Sequence, residues 1–440
     1  MVENSERRSR NYAIPIVIMF ALFFMIAFVT GYQNPLGSVI ERMSSGNRLM
    51  SQLGTLANFI AYAFMGYPAG MLLQNKGFRV TALYAVTIGF IGVAITYGSG
   101  FIADDTTAVV IYLIGAFVAG FSMCLLNSVV NPMLNSLGST PKQGNQLVQF
   151  GGAFNSLGAT LAPVIVGGLL GGAASTISSA NPVFYLAMAI FIAAFIVLYA
   201  SKLPESPDLG KKGEKVKVAN AFKYSNFTFG VFAIFCYVGL EVGIANWTLQ
   251  YLEKSQDVIN NNVMESAAIA GTVVGIYWLL MLIGRLLGGV IGGKVSSKAM
   301  LTVAALGAMG LLAAGIFTSG TIVNFIGFSS AEFSFQIVKI PLNAIFFVLC
   351  GIFASIMWGA IFNLSVTGLG KYTPVASGIF MVMVCGGGVF PFLQSLIANH
   401  SMIASFWLPF ALAGYILIYA LFLSKPKNDD KLPEEPEVLN

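Results

Sequence analysis

Twelve uninterrupted apolar stretches dominate this 440-residue sequence, falling near 12 to 40, 49 to 73, 79 to 100, 108 to 136, 146 to 171, 182 to 201, 225 to 252, 264 to 293, 298 to 320, 339 to 368, 374 to 398 and 402 to 424. A helix that crosses a bilayer needs about 20 mostly apolar residues, and the stretches are of that size. Barrel strands would be alternating segments of about ten residues instead. Apolar residue types make up 57% of the chain and charged ones only 9%, against roughly a quarter charged in a soluble domain. An excess of this size needs a lipid-facing surface. The sequence therefore predicts an all-α integral membrane protein of twelve transmembrane helices. Disorder, a secreted disulfide scaffold and a cytosolic enzyme are excluded.

Lys and Arg are retained on the cytoplasmic side of membrane proteins, so their positions orient the spans. With the N-terminus inside, 19 of the 23 basic residues fall in inner segments, and only Arg42, Arg48, Lys254 and Lys339 fall outside. One missed span would have inverted every later loop. Both termini are expected in the cytoplasm. The formal net charge of +5 is mostly this inner-face bias and calls for no nucleic-acid partner. Arg7, Arg8 and Arg10 precede a first apolar run longer than a signal peptide's and without a small-residue cleavage site, so a retained first helix is expected. Cys124, Cys236, Cys350 and Cys385 lie inside apolar spans and form neither a metal spacing nor a disulfide frame.

The one long polar interior stretch, 202–223, divides the helices six and six and reads as a cytoplasmic linker. It separates an N-terminal bundle (1–201) from a C-terminal bundle (224–425), followed by a polar tail (426–440). A weak repeat accompanies the division. Gly31-Tyr32-Gln33-Asn34 is echoed by Gly243-Ile244-Ala245-Asn246, Leu137-Gly138 by Leu369-Gly370, and Pro163 by Pro391. Two pseudo-symmetric six-helix bundles with a central site alternating between the two sides are the plan of the major facilitator superfamily. The loop from Gly70 to Arg79 is similar to that superfamily's Gly-x-x-x-Asp-x-x-Gly-Arg signature, with Gln74 in place of the Asp. Glycine is frequent, at 48 residues. Pairs such as Gly66/Gly70, Gly288/Gly292 and Gly289/Gly293 are read as close helix packing rather than chemistry.

Polar groups inside a membrane are costly and mark function by default. Glu241 is the one acid deep within an apolar stretch, halfway along the seventh. It reads as a sugar hydroxyl acceptor, a proton carrier or a sodium ligand, against a carboxyl bonded to a neighbouring helix. Asn127, Asn131 and Asn135 recur at i, i+4 and i+8, along one helical face. Gln33, Asn34, Asn58, Tyr62, Gln146, Gln149, Asn155, Ser156, Asn246, Gln250, Asn363 and Gln394 add polar groups on further helices. An amide offers donors beside an acceptor, which suits the vicinal hydroxyls of a polyol, though each amide singly reads equally well as glue between helices. Tyr237, Trp247, Tyr277, Trp278 and Trp358 supply flat apolar faces, or packing and interfacial anchors. Arg285, near the inner end of the eighth span, is expected to gate or orient, its side chain snorkelling to the cytoplasmic surface. His400 falls in an outer turn and carries no assigned role.

The set of motifs resembles the fucose, galactose and glucose permeases of the major facilitator superfamily across nearly all twelve spans. The resemblance rests on Tyr62 with Pro68-Ala69-Gly70, on Asn131-Pro132, Phe154-Asn155-Ser156-Leu157-Gly158, Phe235-Cys236-Tyr237-Val238-Gly239, Gly284-Arg285 and Gly386-Gly387-Gly388. Leu240-Glu241-Val242 looks more like the glucose/galactose branch, which has an acid there. The resemblance implies Asn155 as a sugar contact. In the fucose pattern an Asp in helix 1 and a Glu in helix 4 serve proton coupling and substrate binding, and here Asn34 and Asn127 stand in their places. A helix 5 Gln is Gly152, and a helix 10 Tyr is Trp358. The family's proton relay is therefore not carried over. Glu241 carries the coupling, sodium replaces the proton, or transport is uncoupled.

The resulting expectation is a monomeric hexose transporter of the cytoplasmic (inner) membrane. Its partners are a small sugar and the bilayer, it has no cofactor beyond a coupling proton or sodium ion, and no metal site. Asn34, Asn127, Asn131, Asn155, Glu241, Asn246 and Trp358 are expected to line the sugar site, with Glu241 as the coupling candidate and Arg285 as the gating candidate. Other neutral sugars, amino sugars or glycan fragments remain alternative cargo. A membrane enzyme would need paired carboxylates or a metal cluster near one face, and a transporter-like sensor would bind without flux.

Overall fold

The computed structural model describes residues 12–138, 141–170, 176–204, 221–262, 264–291, 295–318, 320–329, 334–369 and 373–425. Most of the linker and the whole C-terminal tail lie outside the described residues, as do Gly292 and Gly293 and the side chains of Gln74, Asn135, Gln146 and Gln149. Among the described residues, twelve helices are long and apolar enough to cross a membrane: α1 (Ala13–Met43), α2 (Arg48–Leu73), α3 (Asn75–Ser99), α4 (Asp105–Leu134), α5 (Phe150–Leu170), α6 (Ile177–Ala200), α7 (Ser225–Lys254), α8 (Ser266–Ile291), α9 (Ser297–Phe317), α10 (Leu342–Val366), α11 (Gly378–Ala398) and α12 (Ala404–Leu423). Odd-numbered spans begin at one face, here the proximal face, and end at the opposite, distal face. Their surfaces are those of helices in lipid. α6 buries Val183, Phe184, Ala187, Phe191 and Leu198, yet leaves Ile192, Phe195, Ile196 and Tyr199 exposed on its other sides. A helix apolar all round satisfies its own backbone and needs no water-facing side.

Burial divides into two cores. One runs from Ile18 to Leu203 through α1–α6, and the other from Ala221 to Ala420 through α7–α12, joined by Phe59 of α2. Glycine sets how closely helices meet, but not at every expected place. A Cβ at Gly66 would crowd Val382, whereas Gly70 and Gly289 face open space. Close approaches lie elsewhere as well: a Cβ at Gly271 of α8 would overlap the Pro163 carbonyl of α5, and one at Gly386 of α11 the Phe235 carbonyl of α7. The first of these contacts joins the two halves.

Three spans are interrupted where they border the centre. α1 breaks at Tyr32, because Pro35 has no N–H to offer the preceding turn. α10 is split between Ala354 and Met357, and α11 between Met383 and Gly386. Broken helices at mid-membrane free backbone groups and side chains that a continuous rod would occupy.

The α2–α3 loop turns at Gly77, whose φ of 78° and ψ of 177° belong to a region essentially closed to residues with a Cβ. Arg79 then donates to the Leu198 carbonyl at 3.3 Å and to that of Tyr199, closing the last turn of α6. Gly77→Ala is expected to cost about 1–3 kcal/mol through backbone strain, read as a lower thermal unfolding midpoint in detergent. An unchanged midpoint would mean the loop relaxes without Gly77.

The apolar count did not anticipate a hairpin between α9 and α10. β1 (Ile322–Ser329) pairs antiparallel with β2 (Ser334–Pro341), in register Ile322↔Pro341 to Ser329↔Ser334. Asn262 holds it like a short third strand, accepting from the Lys339 N–H at 2.7 Å and donating to the Lys339 carbonyl at 2.9 Å. The Phe328 N–H donates to Thr272 of α8.

Candidate functional site

The seam between the halves gathers polar side chains at mid-depth. From α7, Glu241 projects one turn beyond Tyr237, on the same face. Arg285 of α8 faces it, with Nη2 3.4 Å from Glu241 Oε1. The same guanidinium crosses to the other half, where Nη1 donates to the Gly152 carbonyl and to Ser156 Oγ of α5, each at 2.9 Å. Arg285 is therefore turned into the protein, its side chain 16% exposed, and does not snorkel to the surface as the sequence reading expected. Two partners on α5 and one on α7 outweigh a solvated position.

Gly152 explains how this bridge fits. A Cβ there would already lie 3.8 Å from Arg285 Nη1, so a longer side chain would run through the guanidinium. Tyr277 donates to the Glu241 carbonyl at 3.1 Å, and Tyr237 meets Trp358 edge to face at 6.1 Å. Trp358 stands immediately past the break in α10, half-buried beside this cluster.

The N-terminal half contributes a ladder of amides. Asn127 Nδ2 donates to Tyr62 Oη at 3.0 Å and to the Met123 carbonyl at 3.1 Å. Asn131 donates to the Asn127 carbonyl at 3.0 Å, and Asn155 to the Phe23 carbonyl of α1 at 3.0 Å. Each donor bond leaves the amide oxygen to accept elsewhere. Asn127, Asn131, Asn155 and Asn34 are all half-buried, accessible rather than sealed in the core. Asn34 lies just beyond the break in α1.

Other amides flagged by the sequence serve helix packing. Asn246 is 2% exposed and donates to Gln52 of α2 at 3.1 Å, distal to the Glu241 cluster. Gln250 donates to Ser51 at 2.9 Å, Gln33 accepts from Tyr112 at 2.5 Å, Asn58 donates to the Ala116 carbonyl, and Gln394 to Ser405. Of the aromatics, Trp247 is buried and tied to the Pro391 carbonyl. Sequence reading passed over Asn226 at the proximal start of α7, whose amide donates to the Leu364, Ser365 and Thr367 carbonyls at 3.0–3.1 Å. It caps the end of α10 and needs no ligand to account for it.

The arrangement offers hydrogen-bonding groups, a charge pair and aromatic faces between two packed halves. The Major Facilitator Superfamily model matches residues 16–391. The chain is 27% identical to the glucose/galactose transporter of Brucella abortus over 429 residues, covering 94% of this chain and 95% of that one. It is 21% identical to the L-fucose-proton symporter of Escherichia coli, covering 88% and 87%. Its fold superposes on the inward-open xylose transporter XylE of E. coli with a TM-score of 0.69 at 14% identity, over 94% of this chain and 96% of that one. This multi-pass membrane transporter belongs to the Major Facilitator Superfamily.

Proposed function

We propose that this chain carries a glucose- or galactose-like hexose across the cytoplasmic membrane by alternating access. The observation that supports it best is the Glu241–Arg285 pair at the seam of the two bundles, bonded across to Ser156 next to Asn155, with the half-buried Asn127–Tyr62 amide bond in the N-terminal half and Trp358 against Tyr237 in the C-terminal half. Amides and an ion pair match sugar hydroxyls, and an aromatic face matches a pyranose ring. The kind of sugar follows the Brucella relative's name. In this reading Asn34, Asn127, Asn131, Asn155, Glu241 and Trp358 line the site, and Asn246 belongs to its distal closure. The basic-residue count supports a cytoplasmic proximal face carrying both termini, and in this reading the carrier works as a monomer in the bilayer.

Neither Asn34 nor Asn127 can take up a proton, so coupling falls to Glu241, with proton or sodium as the driving ion and no further cofactor. Arg285 acts as the gate, because it bonds α7 and α5, one from each half, at once.

Counterflow of labelled hexoses into liposomes containing the purified protein tests the cargo without presupposing an ion. Exchange of one or two of glucose, galactose, mannose, fucose, fructose and N-acetylglucosamine is expected. No exchange by folded protein across that panel would overturn the sugar assignment.

A further inference from the structure

The distal ends of α1 and α7 carry an acid followed by a base: Glu41-Arg42 and Glu253-Lys254. The two dipeptides are 212 residues apart, the same offset that separates Gly31 from Gly243 and Asn34 from Asn246. They are equivalent positions of the repeat, and they meet each other. Arg42 Nη2 lies 2.7 Å from Glu253 Oε1, and Lys254 Nζ pairs with Glu41 Oε2. Each half thus gives its acid to the other's base, the reciprocal pattern of a two-fold interface. Ser38 adds a bond to the second Glu253 oxygen at 2.5 Å. The Glu41 and Glu253 side chains are only 8% and 10% exposed. Partly desolvated pairs interact more strongly than charges on an open surface.

A layer of neutral bonds lies beneath, joining Ser51 to Gln250 and Gln52 to Asn246. Arg48 at the start of α2 reaches the Ala398 carbonyl at the end of α11. All these bonds cross between the halves, and none survives if the distal face opens. We propose that Glu41, Arg42, Glu253 and Lys254 form a reciprocal charged clasp that holds the distal face shut and positions the central site for access from the proximal face. They are positioning residues that touch no sugar. Their strength sets the ratio of the two access states. The proposal rests on alternating access but not on the identity of the cargo.

The test uses the full-length protein with a reporter substitution, Asn34→Cys, about two turns below Glu41 on α1. An impermeant thiol reagent is applied from the distal face, with the reporter-free protein correcting for the native cysteines. Glu41→Lys sets like charges opposite Lys254, and Lys254→Glu does the same opposite Glu41. Each is expected to raise the labelling rate ~10-fold or more by populating the distal-open state. The double exchange Glu41→Lys/Lys254→Glu restores opposite charges and is expected to return the rate to within about threefold of the parent. Arg42→Gln and Glu253→Gln, milder changes, are expected to give smaller increases of the same sign. Rates unmoved by the single substitutions, or a double exchange labelled as fast as either single, would overturn the clasp. Labelling needs no substrate: failed counterflow with the labelling pattern intact would remove the sugar reading alone.

Discussion

Arg285→Ala is expected to abolish transport and to cost about 3–5 kcal/mol of stability, the penalty for removing one member of a buried ion pair. Three bonds go at once: the pair with Glu241 and the two bonds to Gly152 and Ser156 across the seam. Glu241 is then left at mid-membrane without a counter-ion, carrying the cost of an unpaired charge or of taking up a proton, which is the larger part of the loss. This gives the prediction a sign that simple loss of packing lacks. Arg285→Ala/Glu241→Gln removes the orphaned charge and is expected to regain much of the unfolding midpoint lost by Arg285→Ala, while remaining inactive in counterflow. Arg285→Lys keeps the charge but not the planar fork that serves both halves, so stability is expected to recover more than transport does. Thermal unfolding in detergent and counterflow on the same preparations read the two effects separately. An Arg285→Ala protein as stable and active as the parent would mean the bridge contributes neither.

The spans were legible because lipid imposes one demand, about 20 apolar residues per crossing, that sequence displays directly. The hairpin was not, because its strands abut apolar runs and blend into the ends of α9 and α10. Its signal was the alternation through Phe335-Gln336-Ile337, where Phe335 and Ile337 are the exposed members.

The amides show a different limit. Asn127 and Asn246 look alike in sequence, each polar in an apolar helix. One is half-buried beside Tyr62 and the other sealed against Gln52, a difference set by tertiary partners that helical spacing does not reveal. Arg285, expected near the inner end of its span and turned outward, instead turns inward onto Glu241, Gly152 and Ser156. Gly152 was the available clue, since a glycine opposite a long cation leaves both room and a bare carbonyl. The clasp too was within reach. The repeat that aligns Asn34 with Asn246 continues, without a gap, to Glu41-Arg42 and Glu253-Lys254.

Glu241→Gln is expected to separate exchange from accumulation. The amide is nearly isosteric and keeps an oxygen facing Arg285, so sugar counterflow should stay within about threefold of the parent, the sugar contacts being intact. It cannot take up a proton, nor can it neutralise a sodium ion as a carboxylate does. Uptake against a gradient, driven by an imposed proton or sodium gradient, is therefore expected to fall ~10-fold or more, since linkage requires that ion binding and sugar binding favour each other, and in this reading Glu241 is the group that binds the ion. The residual slowing of exchange also has a direction. With the full counter-charge replaced by a neutral amide oxygen, Arg285 leans more on Ser156 and the Gly152 carbonyl, which tightens the bond between halves and retards their separation. Replacing Ser156 with alanine in the Glu241→Gln background should then speed exchange. Accumulation that survives Glu241→Gln at the parent's level would place the coupling group elsewhere, and neither Asn34 nor Asn127 could supply it.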